Sequence, residues 1–361
     1  MKKYNDIIES CLAEASKAWG KVSPNPLVGA VLTDDDGKII SSGFHEKCGC
    51  AHAEVNAIKK AGKKAENATL FVNLEPCSHF GKTPPCVDLI IKSHIKKVVI
   101  GMQDPNPKVN GEGIRKLREA GIEVVTGILE EKCKKFNEIF IVNQTENRTF
   151  LAVKTATTLD GKIATAQKHS KWITSEKARE KVHMLRNKYD AIMTSSATVL
   201  ADNPEMTCRI KGGRNPVRIV ADRNLKTDLN AKIYTDNGAK VYIAIDENLK
   251  NLPKLPSHIE FIKCPTTPEG IDLKFLVKEL YNKGIMSILA EAGGKFNGAL
   301  LKEHLVDKIY HFTAPKILGD DNAISWVNGF APERISDAIN LKLGEIERCN
   351  KDILVEYYTQ K

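Results

Sequence analysis

Four residues in one stretch have the types of a metal centre with a proton carrier beside it: His52, Glu54, Cys77 and Cys86, within AHAEVNAIKKAG, TLFVNL and EPCSHFGKTPPC. A catalytic zinc site takes three protein ligands and keeps a fourth position for water. One imidazole and two thiols supply those three. Two thiolates balance the dication while the neutral imidazole adds no charge, so the metal retains the acidity to act on water near neutral pH. Glu54 is then free to shuttle protons. Cys48 and Cys50, just upstream in KCGCAHAE, offer the opposite outcome, since a fourth thiolate would close the site and make it structural.

These residues need elements that converge. His52 opens an apolar-periodic run (Val55, Ala57, Ile58, Ala61) that stops at Gly62, which predicts a short amphipathic helix with the imidazole at its N-terminus. Leu70 to Leu74 reads as a strand. Thr83 as an N-cap with Pro84 at the first helical position places Cys86 in the first turn of a second helix through VDLIIKS. Backbone dipoles there favour the thiolate over the thiol.

The chain, 361 residues long, is long enough for two domains. An N-terminal amphipathic helix, a rigid Pro24 to Pro26 loop and a hairpin (Leu27 to Leu32, Ile39 to Phe44, turned at Asp34 to Gly37) precede the metal stretch. After it come a strand Val98 to Met102, a helix Ile114 to Ala120, a strand Ile122 to Val125 and a helix Glu130 to Phe140. The polar, aperiodic run Asn143 to Arg148 reads as a linker, giving domains 1–146 and 147–361. The second half continues with strand-like Phe150 to Thr158, a helix Glu176 to Lys188, strands Ala191 to Thr194, Val217 to Ala221 and Val241 to Ile245, a helix Leu273 to Asn282 and a strand Ile285 to Leu289. ISDAINLKL and DILVEYYT read as closing strands. Alternation of this kind predicts an α/β fold in both domains. No G-x-G-x-x-G is present. A Gly293-Gly294 turn after an apolar strand is either an anion-binding helix start or an ordinary tight turn.

The net charge is +9, with 21 Lys+Arg against 19 Asp+Glu through Glu146 and 33 against 26 after it. A basic second half suits a phosphorylated substrate and dinucleotide; RNA would call for the same sign. Paired lysines without interleaved aromatics favour solvated helix faces over single-strand binding. No apolar run reaches membrane-spanning length and the N-terminus lacks an apolar signal core, so the expected place is the cytoplasm. Nine cysteines, an odd number with several placed as ligands, suit a reducing compartment, with Cys11, Cys133, Cys208, Cys264 and Cys349 as buried or incidental thiols.

The H-x-E and Pro76-Cys77 match the zinc nucleobase-deaminase signature, although eight residues separate Cys77 from Cys86 where two are usual. With Ser23-Pro24-Asn25-Pro26, LEPCSHFGKTPPC, MQDPNPKVNGEG, TLDGKIA and TVLADNP in this order, the chain resembles the bifunctional deaminase–reductase family of riboflavin biosynthesis, in which that longer spacing is normal. The resemblance implies a cytidine-deaminase-like three-layer αβα domain holding one zinc, followed by a dihydrofolate-reductase-like α/β domain binding NADPH. It implies a small phosphorylated pyrimidine substrate; no nucleic-acid or membrane partner is expected, given the few aromatics and the lack of a long apolar run, and a homo-oligomer is expected. Glu54 would be catalytic, with Asn25, His79, Lys82 and Thr83 holding the deaminase substrate. NADPH would contact Ala156, Trp172, Thr198, Asp202 and the loop Gly293, Gly294, Lys295, Phe296, Asn297, Gly298 and Ala299. Lys154, Ser170, Arg186, Met206, Arg209 and Glu291 would face the substrate of reduction, and Arg223 is a candidate for the 2′-phosphate of NADPH. Trp172 reads equally as core packing and Arg186 as a surface ion pair. The remaining alternative is a zinc deaminase acting on a base in RNA, with the basic second half as its RNA-binding domain.

Overall fold

The computed structural model describes residues 2–79, 84–106 and 109–360. Contacts divide the chain into two compact units, Met1–Asn147 and Arg148–Lys361.

The first unit runs α1 (Lys2–Ser16), β1 (Gly29–Thr33), β2 (Ile39–Phe44), α2 (Ala53–Ala61), β3 (Thr69–Leu74), α3 (Cys86–Lys92), β4 (Lys97–Met102), α4 (Glu112–Glu119), β5 (Glu123–Val125), α5 (Glu130–Phe136) and α6 (Glu138–Glu146). Its sheet has the order β2-β1-β3-β4-β5. The hairpin is antiparallel and β3, β4 and β5 are parallel. Successive side chains of a strand point to opposite faces. Leu70 and Val72 therefore join Ala57, Ile58, Val87, Ile90 and Leu117 under the helices of one face, while Phe71 joins Ile8, Cys11 and Cys133 on the other. Covering both faces makes β3 and β4 apolar nearly throughout, which is why they are legible as continuous runs. The result is a three-layer αβα unit.

Local details depart from the expected boundaries. The helix expected over Glu130 to Phe140 is two helices broken at Asn137, because its amide is spent on Leu27, accepting the N–H at 2.9 Å and donating to the C=O at 3.0 Å. The supposed linker from Asn143 is mostly the end of α6, with Asn143 buried. Only Asn147, in the left-handed region at φ 52°, ends the helix. Pro84 is not the first helical residue: Pro85 occupies the N-cap position and Cys86 begins α3, while Thr83 lies outside the described residues.

The second unit is built on a nine-stranded sheet. Its order is Ile259–Cys264, Val241–Asp246, Val217–Ala221, Ala191–Ser195, Ser287–Ala290, Phe150–Thr157, Lys308–Thr313, Asp352–Thr359 and Leu341–Cys349. The last two are antiparallel closing strands, but Ile335–Asp337 of the expected ISDAINLKL strand is a single 3-10 turn. Lys308–Thr313 escaped sequence reading because it carries charge: Lys308 is only 1% exposed and pairs with Glu356 at 3.1 Å on the neighbouring strand.

Asn73 of β3 is fully buried and accepts the Gly29 N–H at 2.8 Å while donating to the Leu27 C=O at 2.9 Å. Asn73→Ala leaves the Gly29 donor buried without that partner and should cost about 1–3 kcal/mol. The check is the midpoint of denaturant unfolding followed in the first unit, and an unshifted midpoint would refute the role.

Candidate functional sites

His52 is the N-cap residue of α2, and Cys86 is the first residue of α3. Two helix N-termini and the loop after β3 thus bring three donors to one point. His52 Nδ1 lies 3.2 Å from Cys86 Sγ and 3.5 Å from Cys77 Sγ, and the Cys86 backbone N–H donates to Cys77 Sγ at 3.3 Å. All three donor atoms fall within 4.8 Å of one another. Among the described residues neither Cys48 nor Cys50 belongs to this cluster, and Cys50 is exposed.

The electrostatics fit a soft dication. The Cys86 thiol pulls Cys77 down to about 4 against the cost of burial, with His52 helping; the same contact and burial drive Cys86 upward. The two sulfurs thus compete for a proton whose place a metal would take. Glu54, in the first turn of α2, is 3% exposed, and among the described residues its buried Oε2 has no hydrogen-bond partner. Burial lifts its carboxyl to about 7, Cys77 adding to the shift and His52 opposing it. Donor set and orphaned oxygen together fit zinc with a proton carrier alongside.

A cavity of about 420 Å³ opens beside the cluster, lined by His52, Glu54 and Cys77 and by Asn25 and His79. Lys82 and Thr83 lie outside the described residues. His45, Asp104 and Asn106 also line it, and sequence reading gave them no role. Asn25 Nδ2 sits 3.0 Å from His45 Nε2, whose other nitrogen lies 3.1 Å from the Ala51 carbonyl. The available signal was the polar density of MQDPNPKVNGEG, since Asp104 is 7% exposed in a segment that needs partners for a buried carboxylate.

In the second unit the structure gathers Lys154, Arg186, Met206 and Glu291. Arg186 grips Glu291 with two nitrogens, at 2.8 and 3.0 Å, donates to the Thr207 carbonyl at 3.0 Å and approaches Met206 Sδ at 3.8 Å. Lys154 Nζ reaches the same carboxylate at 3.3 Å. Burial opposes ionisation of Glu291, yet Arg186 and Lys154 outweigh it and hold the carboxyl at about 2. Two cations on one anion leave a net positive charge, suited to phosphate. Arg186 is thus in an ion pair, but a buried one. Arg209 is exposed and paired with Glu205 at 3.1 Å. Ser170 is half-buried.

Trp172 is not core: it is 63% exposed, with the Arg179 guanidinium 4.4 Å from its ring centre. Ala156 is half-buried on the strand Phe150–Thr157, and Thr198 and Asp202 lie on the helix Ser196–Asp202, Asp202 at its exposed end. Gly293 is the N-cap of the helix Gly294–Lys302, and a Cβ there would meet nothing within 4 Å, so this helix start is open. That opening, beside the basic cluster, fits a dinucleotide phosphate. The same loop also packs closely on a neighbouring segment. A Cβ on Gly294 or Gly298 would stand 2.3 Å from the Ser325 carbonyl oxygen or 1.6 Å from that of Asn328, and buried Asn297 donates to the Ala292 and Trp326 carbonyls. Those three residues hold the segment 325–328 in place. Phe296 and Ala299 pack on the core, while Lys295 is exposed. Arg223 is drawn toward Asp246, 3.6 Å away, and donates to the Thr267 carbonyl.

Comparison with known proteins accounts for both units. Residues 1–102 match the cytidine and deoxycytidylate deaminase zinc-binding region, and residues 149–355 match the RibD C-terminal domain. The riboflavin biosynthesis protein RibD of Actinobacillus pleuropneumoniae is 40% identical over 98% of this chain and 94% of its own, and that of Escherichia coli 37% identical over 91% and 92%. A diaminohydroxyphosphoribosylaminopyrimidine deaminase/5-amino-6-(5-phosphoribosylamino)uracil reductase from Thermotoga maritima superposes with a TM-score of 0.89 at 41% identity, over 99% of both chains. RibD of Acinetobacter baumannii gives 0.87 at 33% identity, covering 100% of this chain and 99% of its own. These matches give the two units their fold names, cytidine-deaminase-like and, for the RibD reductase domain, dihydrofolate-reductase-like. Because the likeness runs through both units and nearly the whole length of each relative instead of stopping at the metal region, the chain belongs to the riboflavin biosynthesis protein RibD family.

Proposed function

We propose that the chain catalyses two consecutive steps of riboflavin biosynthesis. The first is zinc-dependent hydrolytic deamination of 2,5-diamino-6-ribosylamino-4(3H)-pyrimidinone 5′-phosphate. The second is NADPH-dependent reduction of the ribosyl side chain, giving 5-amino-6-ribitylaminouracil 5′-phosphate. Residues 1–146 form the deaminase domain and residues 147–361 the reductase domain. The observation that carries the first step is Glu54 Oε2, without a hydrogen-bond partner among the described residues and buried at the cavity beside His52, Cys77 and Cys86.

Zinc held by those three donors supplies Lewis acidity toward water. Glu54 takes the proton of the attacking water and passes it to the departing ammonia, a task that suits a carboxyl lifted toward neutrality. Asn25 and His79, with Lys82 and Thr83, hold the pyrimidine ribotide.

In the reductase, NADPH supplies the hydride. The loop Gly293 to Ala299, at an open helix start, receives its phosphates, and Ala156, Trp172, Thr198 and Asp202 complete the cofactor site. Lys154 and Arg186, tied by Glu291, hold the phosphate-bearing substrate, and Ser170, Met206 and Arg209 border it. The RNA-deaminase reading is not favoured, because the basic second half matches a reductase domain over residues 149–355.

No described helix is long and apolar enough to cross a membrane. We propose a cytoplasmic enzyme that acts on a small phosphorylated substrate, without nucleic-acid partners. A homo-oligomer is supported by Leu343 and Ile346, 57% and 64% exposed on the sheet's edge strand Leu341–Cys349.

Replacing Glu54 with Ala should keep zinc bound and slow ammonia release by about 10²–10⁴-fold. Undiminished release by the variant would remove Glu54 from the reaction. Arg186→Ala leaves Glu291 with Lys154 alone; it should destabilise the second unit by about 3 kcal/mol and raise the KM for the deaminated compound in an NADPH-oxidation assay. An unchanged KM would show that the cluster does not hold substrate.

A further inference from the structure

Glu75 ends the apolar run of β3 and immediately precedes Pro76 and Cys77. It is 3% exposed, and among the described residues no ion pair neutralises it. Four main-chain N–H groups of one segment do so instead. Oε2 accepts from Asp104 at 3.1 Å and Gly111 at 3.0 Å, and Oε1 accepts from Gly113 at 3.0 Å and Ile114 at 3.2 Å. Gly111 is the N-cap of α4, and Gly113 and Ile114 lie in its first turn. The carboxylate therefore stands where unsatisfied donors and the helix dipole favour negative charge.

Two further contacts fasten α4 to the same loop. Lys116 donates to the Ser78 carbonyl at 2.9 Å. A Cβ on Gly113 would come 2.3 Å from the Pro76 carbonyl oxygen, so this close approach requires glycine. Segment and loop border one space: Asp104, Asn106 and Val109 of the segment, Cys77 and His79 of the loop, and Glu75 itself all line the cavity.

We infer that Glu75 is a positioning residue of the deaminase, one carboxylate that fixes the cavity wall of Asp104, Asn106 and Val109 against the loop carrying Cys77. Its task is the placement of substrate relative to the metal donors, and not metal retention, because none of its bonds reaches His52, Cys77 or Cys86. The inference rests on the deaminase reading above. A neutral amide cannot replace it, since the nitrogen of a glutamine would face two N–H donors.

The test compares wild type with Glu75→Gln for zinc content, ammonia release from the diaminopyrimidinone ribotide and NADPH oxidation with the deaminated compound. Glu75→Gln should keep its zinc and its reductase rate and raise the deaminase KM by about tenfold or more with a smaller change in kcat. Lys116→Met, which cuts only the Ser78 tie, should move KM in the same direction by less and keeps the question open to test should Glu75→Gln fail to fold. Loss of zinc from Glu75→Gln, or an unchanged deaminase KM in the folded variant, would overturn the inference. Wild type that binds zinc and releases no ammonia would instead overturn the deaminase reading itself.

Discussion

Three electron-rich donors lie within 4.8 Å of one another, with the buried carboxylate of Glu54 close by in the first turn of α2. Such a cluster is costly without a cation, because burial penalises each additional negative charge and the sulfurs compete for a proton. The architecture of the first unit follows from meeting this constraint. Parallel β3 and β4 place the loop after β3 above the N-termini of α2 and α3, and both helix starts offer positive dipole ends to the thiolates and the imidazole. Packing on both faces of the sheet keeps these helix starts fixed, which Asn73 and Asn137 reinforce by pinning the chain at Leu27.

The second unit meets the opposite problem, an excess of buried positive charge. Lys154 sits on the strand Phe150–Thr157, Arg186 on the helix Glu176–Lys188, and Glu291 follows the strand Ser287–Ala290. Three elements far apart in sequence converge on one carboxylate, and the surplus cation is left for a phosphate. The two units thus pair a site lacking a cation with a site lacking an anion, which suits one chain that handles a metal-assisted hydrolysis and a phosphorylated product of it.

Much of this was legible in the sequence because the residues involved are chemically singular. His52, Glu54, Cys77 and Cys86 are recognisable by type, and the helices at Glu176–Lys188 and Leu273–Asn282 match their expected limits because their apolar period is uninterrupted. What escaped depended on partners distant in sequence. Glu75 looks like an ordinary residue before a Pro-Cys pair until four backbone amides from residues 104–114 surround it. Gly294, Asn297 and Gly298 look like a phosphate loop, and only the segment 325–328 shows that they also pack closely against a neighbouring stretch. The strand Lys308–Thr313 was hidden by a lysine whose counter-charge lies on another strand. Asn143 was read as linker because polarity was taken for exposure, whereas it is buried.

The central claim is that two independent sites on one chain act in sequence, and zinc removal tests it most directly. Stripped and zinc-loaded protein would each be given the diaminopyrimidinone ribotide or the already deaminated compound, with ammonia and NADPH followed together. The account predicts that loaded protein releases one ammonia for each NADPH consumed from the ribotide, and that stripped protein does neither while still oxidising NADPH with the deaminated compound. NADPH oxidation by stripped protein with the ribotide itself, or loss of oxidation with the deaminated compound on stripping, would contradict it.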